Sequence, residues 1–150
     1  MNKKYIDTFG HRKIFISLAK NSQKIYSKYF TIIYSSYLNV CKTLSITDVY
    51  PLVYTKRMYY VAIKVTKKSQ KKAVCRNKIK RRIKHSLASI IKEDLVPKKH
   101  GFMIVIPKSI ISNAKYLDIK YDLTKSIQKL VYKSTYNAVR QTNHNLKKAL

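Results

Sequence analysis

Carboxylates are scarce here. The 150 residues hold 6 Asp and Glu against 33 Lys and Arg, a formal net charge of +27. The six acids, Asp7, Asp48, Glu93, Asp94, Asp118 and Asp122, are too dispersed to assemble the oxygen ligands of a two-metal nuclease centre. His85, in a basic stretch with no orienting carboxylate, lacks the company a general base needs. Cys41 and Cys75 have no metal-ligand spacing, and the four scattered histidines complete no zinc pattern. Both thiols are expected free, as in a reducing cytosol. No apolar run is long enough to span a bilayer. The opening stretch MNKKYIDTFGHRKIF lacks the apolar core of a secretory signal. A soluble cytoplasmic protein with no catalytic or metal-binding cluster of its own is expected.

What is present is positive charge on a chain that should fold. Hydrophobic residues make up 45% of the sequence, enough for one modest core, and neither a repeat nor a second domain is visible. An AT-rich coding bias accounts for many lysines and for two glycines and no tryptophan. It does not account for the gap between Asp48 and Glu93, where fourteen Lys and Arg occur without one acid. Self-repulsion on that scale calls for a polyanionic partner, nucleic acid ahead of an anionic membrane.

The element order expected is α-β-β-β-α-β-α, a two-layer α+β domain with helices on a small sheet. Residues 11–20 predict a short helix with Ile14, Phe15 and Leu18 on one side. Residues 28–34 predict a strand, 49–55 an edge strand that admits Pro51, and 58–66 a strand whose Val61, Ile63 and Val65 share a face. FMIVI at 102–106 fits a strand covered on both sides. A last helix carries Ile119, Leu123, Ile127, Leu130 and Val131 inward, with Asn113 as candidate cap. The domain is expected over residues 1–133, with a loop or insertion at 35–57 and a frayed basic tail at 134–150.

The basic connector KKSQKK leads into a helix from Ala73 that should end before Pro97. At about 100° per residue, Ile79, Ile83, Leu87 and Ile90 share a sector of roughly 80° that would pack on the sheet. Asn77, Lys78, Lys80, Arg81, Arg82 and Lys84 occupy the rest, with Arg76 in the first turn beyond the core. A helix tied to its own sheet is poorly placed to enter a DNA groove, and no helix-turn-helix or dimer element is present. Folded RNA is the better match.

Val65-Thr66-Lys67-Lys68, followed by Ala73-Val74-Cys75-Arg76-Asn77-Lys78-Ile79-Lys80-Arg81-Arg82-Ile83-Lys84, resembles the signature of the bacterial ribonuclease P protein component. Phe15, Phe30 and FMIVIPK extend the likeness over most of the chain. The resemblance implies one α+β domain with a left-handed βαβ crossover, rare among parallel connections. It implies a partner RNA that performs the hydrolysis with Mg2+ held chiefly by that RNA and its substrate, precursor tRNA. No protein partner and no membrane are needed.

Lys67, Lys68, Arg76, Asn77, Lys78, Lys80, Arg81 and Lys84 would then meet the RNA subunit. Phe15 and Phe30 would line a cleft for the single-stranded 5′ leader, with core packing as the competing role for each. Lys78 stands where the family has Arg, the loop 69–72 lacks the usual glycine, and Ile33, followed by Tyr34, occupies the place of an expected aromatic. The competing function is that of a non-catalytic RNA- or ribosome-binding protein using the same helix.

Overall fold

β-Branched and aromatic residues build the sheet, and the position of one late strand decides its shape. The computed structural model describes residues 6–8, 12–20, 22–36, 40, 59–95 and 101–149. Five strands, β1 (Ile6–Thr8), β2 (Gln23–Tyr26), β3 (Phe30–Ser36), β4 (Tyr59–Ile63) and β5 (Gly101–Pro107), lie in the order β1-β4-β5-β3-β2. β5 pairs parallel with β4 and antiparallel with β3. Helix α1 (Arg12–Lys20) precedes β2, α2 (Ala73–Lys92) links β4 to β5, and α3 (Tyr116–Ala149) follows a 3-10 turn at Ser109–Asn113.

Strand alternation sorts the side chains into two clusters. Phe30, Ile32 and Tyr34 of β3, Tyr59 and Val61 of β4, and Met103 and Val105 of β5 pack with α2 and α3. Tyr60, Ala62, Phe102 and Ile104 face the other way, where Leu18 of α1 and Val40 cover them. Tyr60 and Phe102, register partners, stack with ring centroids 5.0 Å apart. Phe102 to Val105 of the FMIVI run are thus buried on both faces, with Ile106 half-buried at its end. Gly101 faces the larger cluster, and a Cβ there would lie 2.4 Å from Cε2 of Tyr34, so only glycine fits beside that ring.

The sequence-derived order holds, with different strand assignments. Gln23–Tyr26 forms a strand that was not expected, and β1 adds a three-residue edge. The edge strand expected at 49–55 lies outside the described residues. So does most of 35–57, although Ser35 and Ser36 complete β3 and Val40 is buried. Ile14's side chain also lies outside them. Asn113 closes the 3-10 turn instead of capping α3, which begins three residues later. Where fraying was expected from 134, the backbone continues helically to Ala149.

Candidate nucleic-acid interface

Burial of one strip fixes the orientation of the basic helix. Ile79, Ile83, Leu87, Ile90 and Ile91 are at most 4% exposed against the sheet and α3. Each such side chain contributes roughly 1.5–3 kcal/mol by leaving water. Lys78, Lys80, Arg81, Lys84 and Asn77 are exposed on the remaining surface. The helix ends in a Schellman arrangement: Leu95 N–H donates to Ile90 O at 3.1 Å and Asp94 N–H to Ile91 O at 3.2 Å. Asp94 takes the left-handed conformation this needs, φ 54°. Glu93 accepts from Lys120 at 2.7 and 2.8 Å and from Ser89 at 2.7 Å. Those bonds, Lys120's first, hold its carboxyl below the usual carboxylate range. Glu93 and Asp94 therefore belong to a helix end.

The connector is built, though it contains no glycine. Ser69 N–H donates to Thr66 Oγ1 at 3.2 Å, and Gln70 N–H to Thr66 O at 3.1 Å, closing a turn that exposes Lys67 and Lys68. Gln70 Nε2 reaches Ser112 Oγ at 2.7 Å, anchoring the loop to the 3-10 turn after β5. Arg76, half-buried in the first turn of α2, donates through Nη1 to Gln70 O at 3.0 Å and Lys71 O at 2.7 Å. The guanidinium thus holds the loop against the helix while keeping its charge beside Lys71 and Lys72. Lys72 occupies the N-cap without a side-chain acceptor, leaving first-turn N–H groups for solvent or an anion.

Arg82 is different: it is half-buried, and its Nη2 donates to Ala114 O at 2.5 Å. His85 Nδ1 lies 3.1 Å from the Tyr116 hydroxyl, an interhelical contact with no carboxylate in it. Among the described residues no three His, Cys, Asp or Glu side chains converge as metal ligands.

The second expected surface is only partly as foreseen. Phe15 is half-buried against the α1-side cluster. Phe30 is fully buried on the opposite face, because even-numbered positions of β3 point toward α2 and α3. The two phenylalanines do not share a cleft, and Phe30 belongs to the core. Beside Phe15 the sheet instead presents Thr31, Ile33 and Ile106, all half-buried. Tyr26 pairs with Thr31 in register and is 70% exposed, and Lys24 pairs with Ile33. Tyr26 was missed because Gln23–Tyr26 is too short to stand out. Its signal was the alternation of Ile25, packed inward, with exposed Lys24 and Tyr26. Tyr34, 2% exposed, faces the helices, and burial raises its hydroxyl pKa.

A mixed sheet backed by a clamped basic helix, with a half-covered apolar shelf on its other face, defines an RNA-binding α+β protein. Residues 6–131 match the family model described as Ribonuclease P. The chain is 30% identical over 129 residues to the ribonuclease P protein component of Rickettsia prowazekii, covering 85% of this chain and 97% of that one. It is 32% identical over 124 residues to that of Rickettsia typhi, covering 81% and 95%. The fold is similar to the ribonuclease P protein of Thermotoga maritima, TM-score 0.59 at 17% identity over 82% of this chain and 96% of that one. It is similar also to that of Staphylococcus aureus, TM-score 0.58 at 19% identity over 81% and 92%. The chain belongs to the bacterial ribonuclease P protein family and is a protein subunit of that ribonucleoprotein, which processes tRNA. Membership of that family implies the ribonuclease P RNA and precursor tRNA as partners. No helix among the described residues is long and apolar enough to cross a membrane.

Proposed function

We propose that this subunit grips the catalytic RNA with one surface and the 5′ leader of precursor tRNA with the other. The RNA performs the phosphodiester hydrolysis with magnesium ions that sit chiefly on the RNA and its substrate. The observation that supports this best is the rigid seating of α2. Its aliphatic strip is buried, and Asn77, Lys78, Lys80, Arg81 and Lys84 are exposed with no acid on that flank. Phosphates bound there relieve the mutual repulsion of closely spaced cations, and the fixed backbone spares the cost of ordering them. Lys67 and Lys68, with Arg76 as both clamp and cation, extend the contact.

The leader lies across the shelf beside α1. Phe15 and Tyr26 offer aromatic faces, Ile33 and Ile106 an apolar floor, and Lys24 a phosphate partner. Stacking of a base on an aromatic side chain contributes about 1–3 kcal/mol whatever the base, which suits an enzyme that accepts many leaders. The working compartment in this scheme is the cytoplasm.

The test is reconstitution. Ribonuclease P RNA is incubated with precursor tRNA at low magnesium, with and without the purified protein. The protein should restore cleavage at the mature 5′ end and should cleave nothing when the RNA is omitted. No stimulation, or cleavage by protein alone, overturns the assignment.

A further inference from the structure

Helix α3 carries a second line of cations that runs past the end of the family match at residue 131. Lys125, Lys129, Lys133, Arg140 and Lys147 are all exposed and follow one another at intervals of four, four, seven and seven residues. On a straight helix those intervals keep all five within a sector of about 80° over roughly 33 Å. The inward residues Ile119, Leu123, Ile127 and Leu130 occupy the opposite side. No Asp or Glu follows Asp122 in the sequence, and Asp122 itself is turned inward, accepting from Ser27 Oγ and Tyr29 N–H.

We infer that this flank of α3 is a second RNA-binding surface, one that lies along the phosphate backbone of an RNA stem. Two features favour that partner. A file of cations on one side of a rod, with no acid among them, matches a linear polyanion. The long spacing between the last three cations suits phosphates reached across a groove of a stiff duplex. Base edges are not read in this arrangement, so binding is indifferent to sequence. The inference rests on the chain being an RNA-binding subunit of ribonuclease P, and its test separates the two ideas.

The variant is K133A/R140A/K147A in the full chain. Alanine is a strong helix former, so far-ultraviolet circular dichroism should show helix content retained. Binding to ribonuclease P RNA and to a generic RNA hairpin is measured over a range of salt concentrations. The slope of log K against log salt should fall by about three for the variant, one for each phosphate that is no longer neutralised. An unchanged slope with both RNAs overturns the inference. So does an unchanged slope accompanied by weakened binding to anionic phosphatidylserine vesicles, or by weakened self-association in sedimentation. If the unmodified chain binds the hairpin with the expected slope but fails to stimulate precursor cleavage, the ribonuclease P scheme falls while the stripe stands.

Discussion

Arg82 Nη2 donates to the carbonyl oxygen of Ala114 at 2.5 Å, so one arginine of the basic helix is committed to holding α2 against the approach to α3. Its neighbour Arg81 is exposed. Replacing Arg82 with Ala should lower stability in urea by about 1.5–3 kcal/mol, the range for a hydrogen bond involving a charged group. Arg81→Ala should leave stability nearly unchanged but reduce the salt dependence of RNA binding by about one unit of slope. A larger slope change in Arg82→Ala would place that guanidinium on a phosphate.

Arg76 should not tolerate a like-charged replacement. Lysine keeps the charge but lacks the planar fork that spans the Gln70 and Lys71 carbonyls. Amide hydrogen exchange across residues 67–72 is expected to quicken in Arg76→Lys, and RNA affinity to fall about three- to tenfold. Exchange rates equal to the unmodified protein's would remove the clamp.

For the shelf, the two phenylalanines should part company. Phe15→Ala is expected to weaken capture of a single-stranded leader by about 1–3 kcal/mol, read as the difference in affinity between precursor and mature tRNA. Phe30→Ala should instead cost about 3–5 kcal/mol of folding stability, as for other buried aromatics. A Phe30 variant that is stable but leader-blind would put the cleft on the wrong face.

Gly101→Ala should destabilise the sheet by about 1–3 kcal/mol, because the added methyl enters the Tyr34 ring. Combining it with Tyr34→Leu should recover part of the loss, the coupling being measured in a double-mutant cycle of urea unfolding.

The Glu93–Lys120 contact gives a pH signature. Glu93's carboxyl is held below its ordinary range in the folded chain, so its contribution is complete above that range and fades as pH falls through it. The stability difference between the unmodified protein and Glu93→Gln should therefore shrink on acidification below the ordinary carboxylate range. A difference that is constant across that range would show that the carboxylate's charge contributes nothing.

Much of this architecture was legible because periodicity reports burial directly. Ile79, Ile83, Leu87 and Ile90 at helical spacing, and Val61, Ile63 and Val65 at strand spacing, sit where those periods require. Ribonuclease P membership was legible in the ordered Arg76-Asn77-Lys78 core and its preceding strand. Phe30 was misplaced because which way a strand residue points depends on register, and register is fixed by partners far along the chain. Short strands such as Gln23–Tyr26 have too few residues to show a period. The role of Arg82 was hidden for a similar reason. Its acceptor is a backbone carbonyl 32 residues away, and a carbonyl leaves no mark on composition.

β5, made after two thirds of the chain, is the strand that separates β4 from β3. During synthesis β3 can pair only with β2 and β4 only with β1, and β3 and β4 each carry bare backbone donors and acceptors along the margin that β5 fills until residues 101–107 leave the ribosome. The sheet can close only once that late strand is made, like a keystone dropped between two waiting walls. A truncation before that point should yield an insoluble or protease-sensitive fragment, however complete its basic helix.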